Sequence, residues 1–208
     1  MVSQRRNAAE ARVEPSEPAR AANAIPEERI LEAAYELLLA VGLGRLNMAE
    51  IARRADVSRA TLYRRWPNVR AVLAALVTRE FVELTRKVAS DAGSGRQAVT
   101  NTVVRAAGEL RTHPLLRKII DVDPEFLLPY LFRRPGSSGD QQLLLLEGAI
   151  RAGQADGSIR DGEPRMLARS LMLTARSFVL SGPVFVPPSE FGALDAELSL
   201  LVDRYLAP

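Results

Sequence analysis

The segment Arg59-Ala60-Thr61-Leu62-Tyr63-Arg64-Arg65-Trp66 gathers residue types that could do recognition chemistry. Wound as a helix with Leu62 facing inward, it puts Arg59, Ala60, Thr61, Tyr63 and Arg64 on or beside the outward face. Guanidinium groups fork onto guanine edges, a small methyl meets a thymine methyl, and hydroxyls donate to phosphate. Charge points the same way. Residues 29–70 hold eight Arg against four acids, whereas residues 71–208 hold 16 bases against 16 acids, so the net +3 of the chain comes from one window. Such a concentration is the electrostatic footprint of a protein that meets a polyanion.

Catalytic chemistry is poorly represented. With no Cys among 208 residues, disulfides, thiolate metal sites and thiol nucleophiles are excluded. Neither a glycine-rich phosphate loop nor a nucleophile elbow occurs, and no second histidine accompanies His113. His113 precedes Pro114 and reads as a helix cap or a pocket wall. Asp121, Asp123 and Glu125 have metal-like spacing, but Asp123-Pro124-Glu125 is explained as a helix start. No cofactor is expected. An enzyme remains a minor alternative, as does a helical adaptor whose basic face meets an acidic protein.

The elements that must hold the basic segment can be read from their caps. The arm over residues 1–24 is Ala-, Arg- and Glu-rich, lacks apolar periodicity and is expected to be disordered. A first helix starts at Pro26, buries Ile30, Ala34, Leu37, Leu38 and Val41, and stops at Gly42. Asn47 with Glu50 resembles a capping box, opening a second helix over Met48–Ala55; Ser58 caps a third, Arg59 to Trp66. Only Asp56 and Val57 separate them, which makes a helix-turn-helix. A fourth helix runs from Pro67 to about Asp91–Gly95, with Val72, Leu76, Phe81, Leu84 and Val88 inside. Further helices are expected over Gln97–Thr112, Leu115–Ile120, Pro124–Phe132, Asp140–Ala155, Glu163–Ser181 and Glu190–Leu206, the last capped by Ser189. The expected class is all-α with about nine helices. No apolar stretch approaches the ~20 residues that span a membrane, and no secretory leader is legible, so a cytoplasmic location is the default.

The run from Arg29 to Leu73 resembles the DNA-binding domain of the tetracycline-repressor (TetR) family. The resemblance rests on the first helix ending in Gly42, on Met48-Ala49-Glu50-Ile51-Ala52, on Val57-Ser58-Arg59-Ala60-Thr61-Leu62-Tyr63, and on the aromatic Trp66 before the fourth helix. It covers about 45 residues; beyond them only length, helical character and the Gly157-Ser158-Ile159-Arg160 turn agree. Membership implies a homodimeric transcriptional repressor that reads a palindromic double-stranded DNA operator and is released by a small-molecule inducer. Its implied plan is a DNA-binding domain over 25–70 and a ligand-binding and dimerisation domain over 71–208.

Carried onto matching positions, the family pattern makes Asn47 a phosphate contact and puts Thr61 and Tyr63 against the DNA backbone. Arg59, Ala60, Arg64 and Arg65 would reach bases or adjacent phosphates, and Ser58 and Asn68, which flank that helix, join the DNA-binding set. The chain departs from the pattern where Asp56 and Ala60 replace common glycines, Trp66 a common Phe, and Val69 a phosphate-touching Lys. The last leaves open whether Arg70 supplies that contact. The implied homodimer interface lies in residues 163–206, whose stripes are Leu167, Leu171, Ala175 and Phe178, then Leu194, Leu198, Leu201 and Tyr205. A ligand cavity among the middle helices, walled by Leu and Val, would suit an apolar or amphipathic molecule, with His113, Tyr130, Arg176 and Phe178 as candidate contacts.

Overall fold

A computed structural model describes residues 21–88, 93–133 and 136–208, and every described element is helical. The order is α1 (Ala21–Val41), a 3-10 turn (Leu43–Arg45), α2 (Met48–Arg54), α3 (Arg59–Arg65), α4 (Val69–Val88), α5 (Gly95–Thr112) and α6 (Pro114–Val122). A second 3-10 turn (Pro124–Phe126) then leads to α7 (Leu128–Phe132), α8 (Gly136–Ala155), α9 (Pro164–Leu180) and α10 (Gly182–Phe185). A third (Pro188–Glu190) leads to α11 (Phe191–Leu206).

The all-α expectation holds, with eleven α-helices among the described residues in place of about nine. Each difference has a local cause. α1 starts five residues before Pro26, as the alanines of Ala21-Ala22-Asn23-Ala24 favour helix and add a turn ahead of the proline, which itself forgoes the backbone bond to Ala22. The arm expected over 1–24 therefore includes helix at 21–24, while residues 1–20 lie outside the described residues. α4 starts at Val69 and not Pro67, since the Asn68 carboxamide accepts from Ala71 N at 3.0 Å; its expected end at 91–95 lies partly outside the described residues. α5 starts at Gly95, two residues early, because Ser94 and Gln97 form a full capping box. The expected helix 124–132 splits, as Pro129 lacks the N–H that a continuous helix would donate to Glu125. Likewise α8 begins at Gly136, four residues before Asp140. α10 went unforeseen: Gly182-Pro183, expected to end the preceding helix, puts Pro183 in the first turn of another. Ser189 falls inside a 3-10 turn and does not cap α11.

Two buried clusters hold these helices. The first joins Ile30, Ala34 and Leu38 of α1, Ile51 and Ala52 of α2, Leu62 of α3, Val72, Leu73 and Leu76 of α4, and Leu115 and Ile119 of α6. The second joins α5, α8, α9 and α11 through Val103, Ile150, Leu171, Leu198 and Val202. Leu62 is fully buried, so truncation to Ala removes most of an aliphatic side chain from a packed site, at a cost of ~2–5 kcal/mol.

The end of α1 is tied to the end of α6. Gly42 has φ 77 and ψ 174, a backbone region open essentially to glycine alone. A Cβ there would lie 2.9 Å from Cγ1 of Val122. Beside it the Asp123 carboxylate accepts from Leu43 N at 2.6 Å and from Gly44 N at 3.2 Å. Gly42→Ala is expected to lower stability by ~1–3 kcal/mol, through backbone strain and this collision. Urea denaturation checks it; an unchanged midpoint would show that the junction yields.

Candidate nucleic-acid interface and the cavity behind it

Helices α2 and α3 are capped as their sequence suggests. Asn47 Oδ1 accepts from Glu50 N at 2.9 Å, and Ser58 Oγ accepts from Thr61 N at 3.0 Å. The Asn47 box is only half formed, because the Glu50 carboxylate turns to Arg53. Between the helices, Val57 N donates to Ala52 O and Asp56 N to Arg53 O, a Schellman closure. Asp56 takes the left-handed position with φ 53, which Asp tolerates better than most residues. From α1, Arg29 Nη2 donates to Ala55 O at 2.9 Å and approaches Asp56 at 3.5 Å. A cation thus sits on the negative end of α2.

On α3, Leu62 and Trp66 are buried, while Arg59, Ala60, Tyr63, Arg64 and Arg65 are exposed and Thr61 is half-exposed. The Thr61 hydroxyl lies 2.9 Å from that of Ser58, so both belong to the cap. Asn68 caps α4, and Asn47 also reaches Arg45 O at 3.4 Å. Four polar residues assigned to DNA from sequence, Asn47, Ser58, Thr61 and Asn68, therefore also hold the helix ends that aim α3.

Pairing sorts the arginines of the basic window. Arg29 meets Asp56, Arg53 meets Glu50, Arg54 meets Glu36 at 2.7 Å, and Arg65 meets Glu27 while its guanidinium covers Trp66. Arg45, Arg59, Arg64 and Arg70 have no acidic partner among the described residues. Asp56, Glu50 and Glu36 of the window, together with Glu27, neutralise its structural arginines and leave an uncompensated set around α3. Arg65, expected to reach bases or phosphates, is committed to α1. Val69 packs against the first core, and Arg70 beside it is exposed. Arg45 was missed by sequence reasoning, although the window charge pointed to its region.

Behind this domain lies a cavity of about 830 Å³ between α4, α5, α6, α7, α8 and α9. Its walls are mainly Leu, Val, Ala and Phe. His113, Tyr130 and Arg176 line it. Phe178 packs against the second core and is not among the lining residues.

Sequence reasoning also missed the ionic bridge between this cavity and α1. Arg79 Nη1 donates to Glu28 and Glu32 of α1, each at 3.0 Å. Its Nε and Nη2 hold Glu80 Oε1 at 3.0 and 2.8 Å, and His113 Nε2 stands 3.5 Å from Glu80 Oε2. Burial pushes the Glu80 carboxyl up, but His113 and Arg79 together outweigh it and hold it below the ordinary glutamate value. No local signal could reveal partners about 30 to 50 residues apart in sequence.

A carboxyl whose folded value is depressed contributes stability in full above its unfolded value, here 4.5, and loses it as pH falls through the folded value. Glu80→Gln is therefore expected to be less stable than wild type at neutral pH, with the gap closing below pH 4.5. Denaturant midpoints across pH check this, and a gap that widens on acidification would contradict it.

The profile of bacterial regulatory proteins of the tetR family matches residues 30–76, which span α1 to the first turns of α4. An uncharacterized HTH-type transcriptional regulator of Mycobacterium tuberculosis is 36% identical over 180 residues, covering 86% of this chain and 93% of its own. The TetR-family repressor QsdR of R. erythropolis superposes with a TM-score of 0.63 at 20% identity, over 86% of this chain and 95% of its own. FadR of Bacillus subtilis, solved with stearoyl-CoA, gives 0.62 at 16% identity over 86% and 98%. A transcriptional regulator of Saccharomonospora viridis, solved with choline, gives 0.63 at 18% identity over 90% and 99%. Since one regulator matches nearly end to end and the tetR profile falls on the capped helix pair and the helices packed around it, the chain belongs to the TetR family of helix-turn-helix transcriptional regulators.

Proposed function

We propose that the chain is a ligand-responsive repressor that binds a palindromic operator as a homodimer and is released by a small apolar or amphipathic molecule. The observation that carries this reading is the uncompensated arginine set around α3, on a helix whose caps are complete, joined through α4 and α6 to an apolar cavity. Arg59 and Arg64 are the base-reading candidates, Tyr63, Arg45 and Arg70 the phosphate contacts, and Thr61, Ser58, Asn47 and Asn68 support them from the caps. Ala60 leaves room for a thymine methyl. A repressor of this kind acts in the cytoplasm beside the chromosome, and no described helix is long and apolar enough to cross a membrane.

Dimerisation fits the exposed apolar side chains on the last long helices. Met166 and Leu173 of α9 are 53% and 68% exposed and Leu201 of α11 is 50% exposed, whereas Leu198 is fully buried. Leu201 is then an interface residue and Leu198 a core residue. Both Leu201→Asp and Leu198→Asp desolvate a charge, but by this reading the first yields a folded monomer and the second an unfolded chain. Sedimentation with circular dichroism separates them, and a wild-type monomer at micromolar concentration would refute the homodimer.

DNA fragments selected from a genomic library by the purified protein should share two half-sites whose centres are about 34 Å or more apart on one face. Arg59→Ala or Arg64→Ala should cost ~1–3 kcal/mol of operator binding and relax preference at one position per half-site. Equal affinity for every duplex at physiological salt would sink the repressor reading.

Release by ligand is supported by cavity-lining residues that also belong to the first core. α4 is one such lever. α6 is a second, because Leu115 and Ile119 both line the cavity and pack with α1. The relatives solved with stearoyl-CoA and with choline make a ligand site in this fold a natural reading. Coupling of ~1–3 kcal/mol corresponds to a ~5–150-fold loss of operator affinity, and operator DNA must weaken the ligand by the same factor. A compound that raises the melting temperature without altering operator affinity would remove the switch.

A further inference from the structure

The charged groups in the cavity wall narrow the class of ligand, on the footing that the cavity is a ligand site. Phe81, Leu84, Val103, Leu146 and Leu171 make most of the surface apolar, so a polar atom in the wall is a specific feature. The ionisable side chains that line it are Glu80, His113, Tyr130, Asp140 and Arg176. Glu80 is already held by Arg79 at 2.8 and 3.0 Å and faced by His113 at 3.5 Å. Asp140 is exposed and keeps its water.

Arg176 differs from both. It is half-buried on α9, faces the cavity, and makes no hydrogen bond or ion pair among the described residues. Every other buried or half-buried arginine there is engaged. Arg79 holds Glu80, Arg96 lies 3.2 Å from Asp203, Arg111 is 2.7 Å from Asp195, Arg117 is 3.3 Å from Asp121, and Arg160 donates to Tyr205 O at 2.8 Å. A guanidinium does not deprotonate at any physiological pH, so Arg176 cannot relieve partial burial by losing its proton. It is a fixed positive fork in an apolar wall.

We propose that the cavity takes an amphipathic monoanion, its carboxylate forked onto Arg176 and its apolar body lying along α4, α5 and α8. A carboxylate that leaves water recovers its hydration loss only from charged donors, and the planar guanidinium offers two in parallel. A neutral molecule of the same shape desolvates Arg176 and leaves it unpaired. A cationic amphiphile meets like charge at Arg176 and finds Glu80 already occupied. One uncommitted cation in the wall matches one negative charge and no more.

The test uses the full chain with three probes that share a ten-carbon chain, decanoate, decanol and decyltrimethylammonium, the ionic two below their micellar concentrations and decanol below its solubility. Calorimetric titration should show decanoate binding ~10–100-fold tighter than decanol, the range expected for hydrogen bonds to a charged group, and decyltrimethylammonium binding weakest. Arg176→Gln should abolish that preference, with decanoate affinity falling and decanol affinity equal or higher because no charge is left to desolvate, and Arg176→Lys should keep most of it. Decanol or decyltrimethylammonium binding as tightly as decanoate overturns the assignment, as does a preference that survives in Arg176→Gln; should that variant not fold, the wild-type ranking alone decides. Operator release measured with the same probes separates the two levels. Release by decanol with no decanoate preference overturns the anion assignment and leaves the repressor reading standing, whereas a decanoate preference without release supports the assignment and overturns the switch. Binding of none of the three overturns the assignment.

Discussion

Leu115 and Ile119 must serve two environments at once, and the rest of the structure is arranged around that requirement. They pack with α1 in the first core and line the cavity with their remaining surface. A nine-residue helix has little intrinsic stability, so α6 depends on its ends. Pro114 pre-sets its first turn, and at its far end Asp123 receives the N–H groups of Leu43 and Gly44. Close-packed interiors transmit displacement because they lack free volume to absorb it. The cavity wall at Leu115 and Ile119 is therefore also part of the core beneath α3, and a ligand there, as proposed, would press on both.

Charge is allocated by the same logic of satisfied and unsatisfied groups. Arg29 stabilises the negative end of α2, Arg54 ties α2 to α1, and Arg65 ties α3 to α1. These pairs are largely exposed and individually weak, yet they neutralise the arginines that join α1 to α2 and α3. The ones left over surround α3. Arg79, with Glu28, Glu32 and Glu80, repeats the pattern between α4 and α1, where only 12% of its side chain remains exposed. Partial burial makes this network stronger than the others and sensitive to whatever enters beside Glu80 and His113.

Two routes join cavity and reading head. α4 is the one a sequence suggests, because it follows the recognition helix directly and carries a continuous apolar stripe. α6 is legible only in space: its residues lie more than 70 positions from the α1 residues they cover. The cavity wall shows the same contrast. His113, Tyr130 and Arg176 could be nominated by type, but Phe178 packs against the second core, and Glu80 enters from a helix that the sequence had credited with an apolar face only.

What the chain specifies locally it specifies well. Ser58 and Asn47 cap their helices, Gly42 stops α1, Asp56 turns left-handed and Leu62 is buried, because each depends on backbone preferences and on neighbours within four residues. Those short-range rules were enough to read the all-α class, the helix-turn-helix and its outward face. Tertiary structure decided what depends on distant partners: which arginines stay unpaired, that Leu198 is core while Leu201 is surface, and that Asp123 is a clamp on α1. Those outcomes turn on burial and on pairing between separated residues, 18 positions apart for Arg54 and Glu36 and 80 for Asp123 and Leu43, and hydrophobic periodicity along one helix shows which face is buried but not against what.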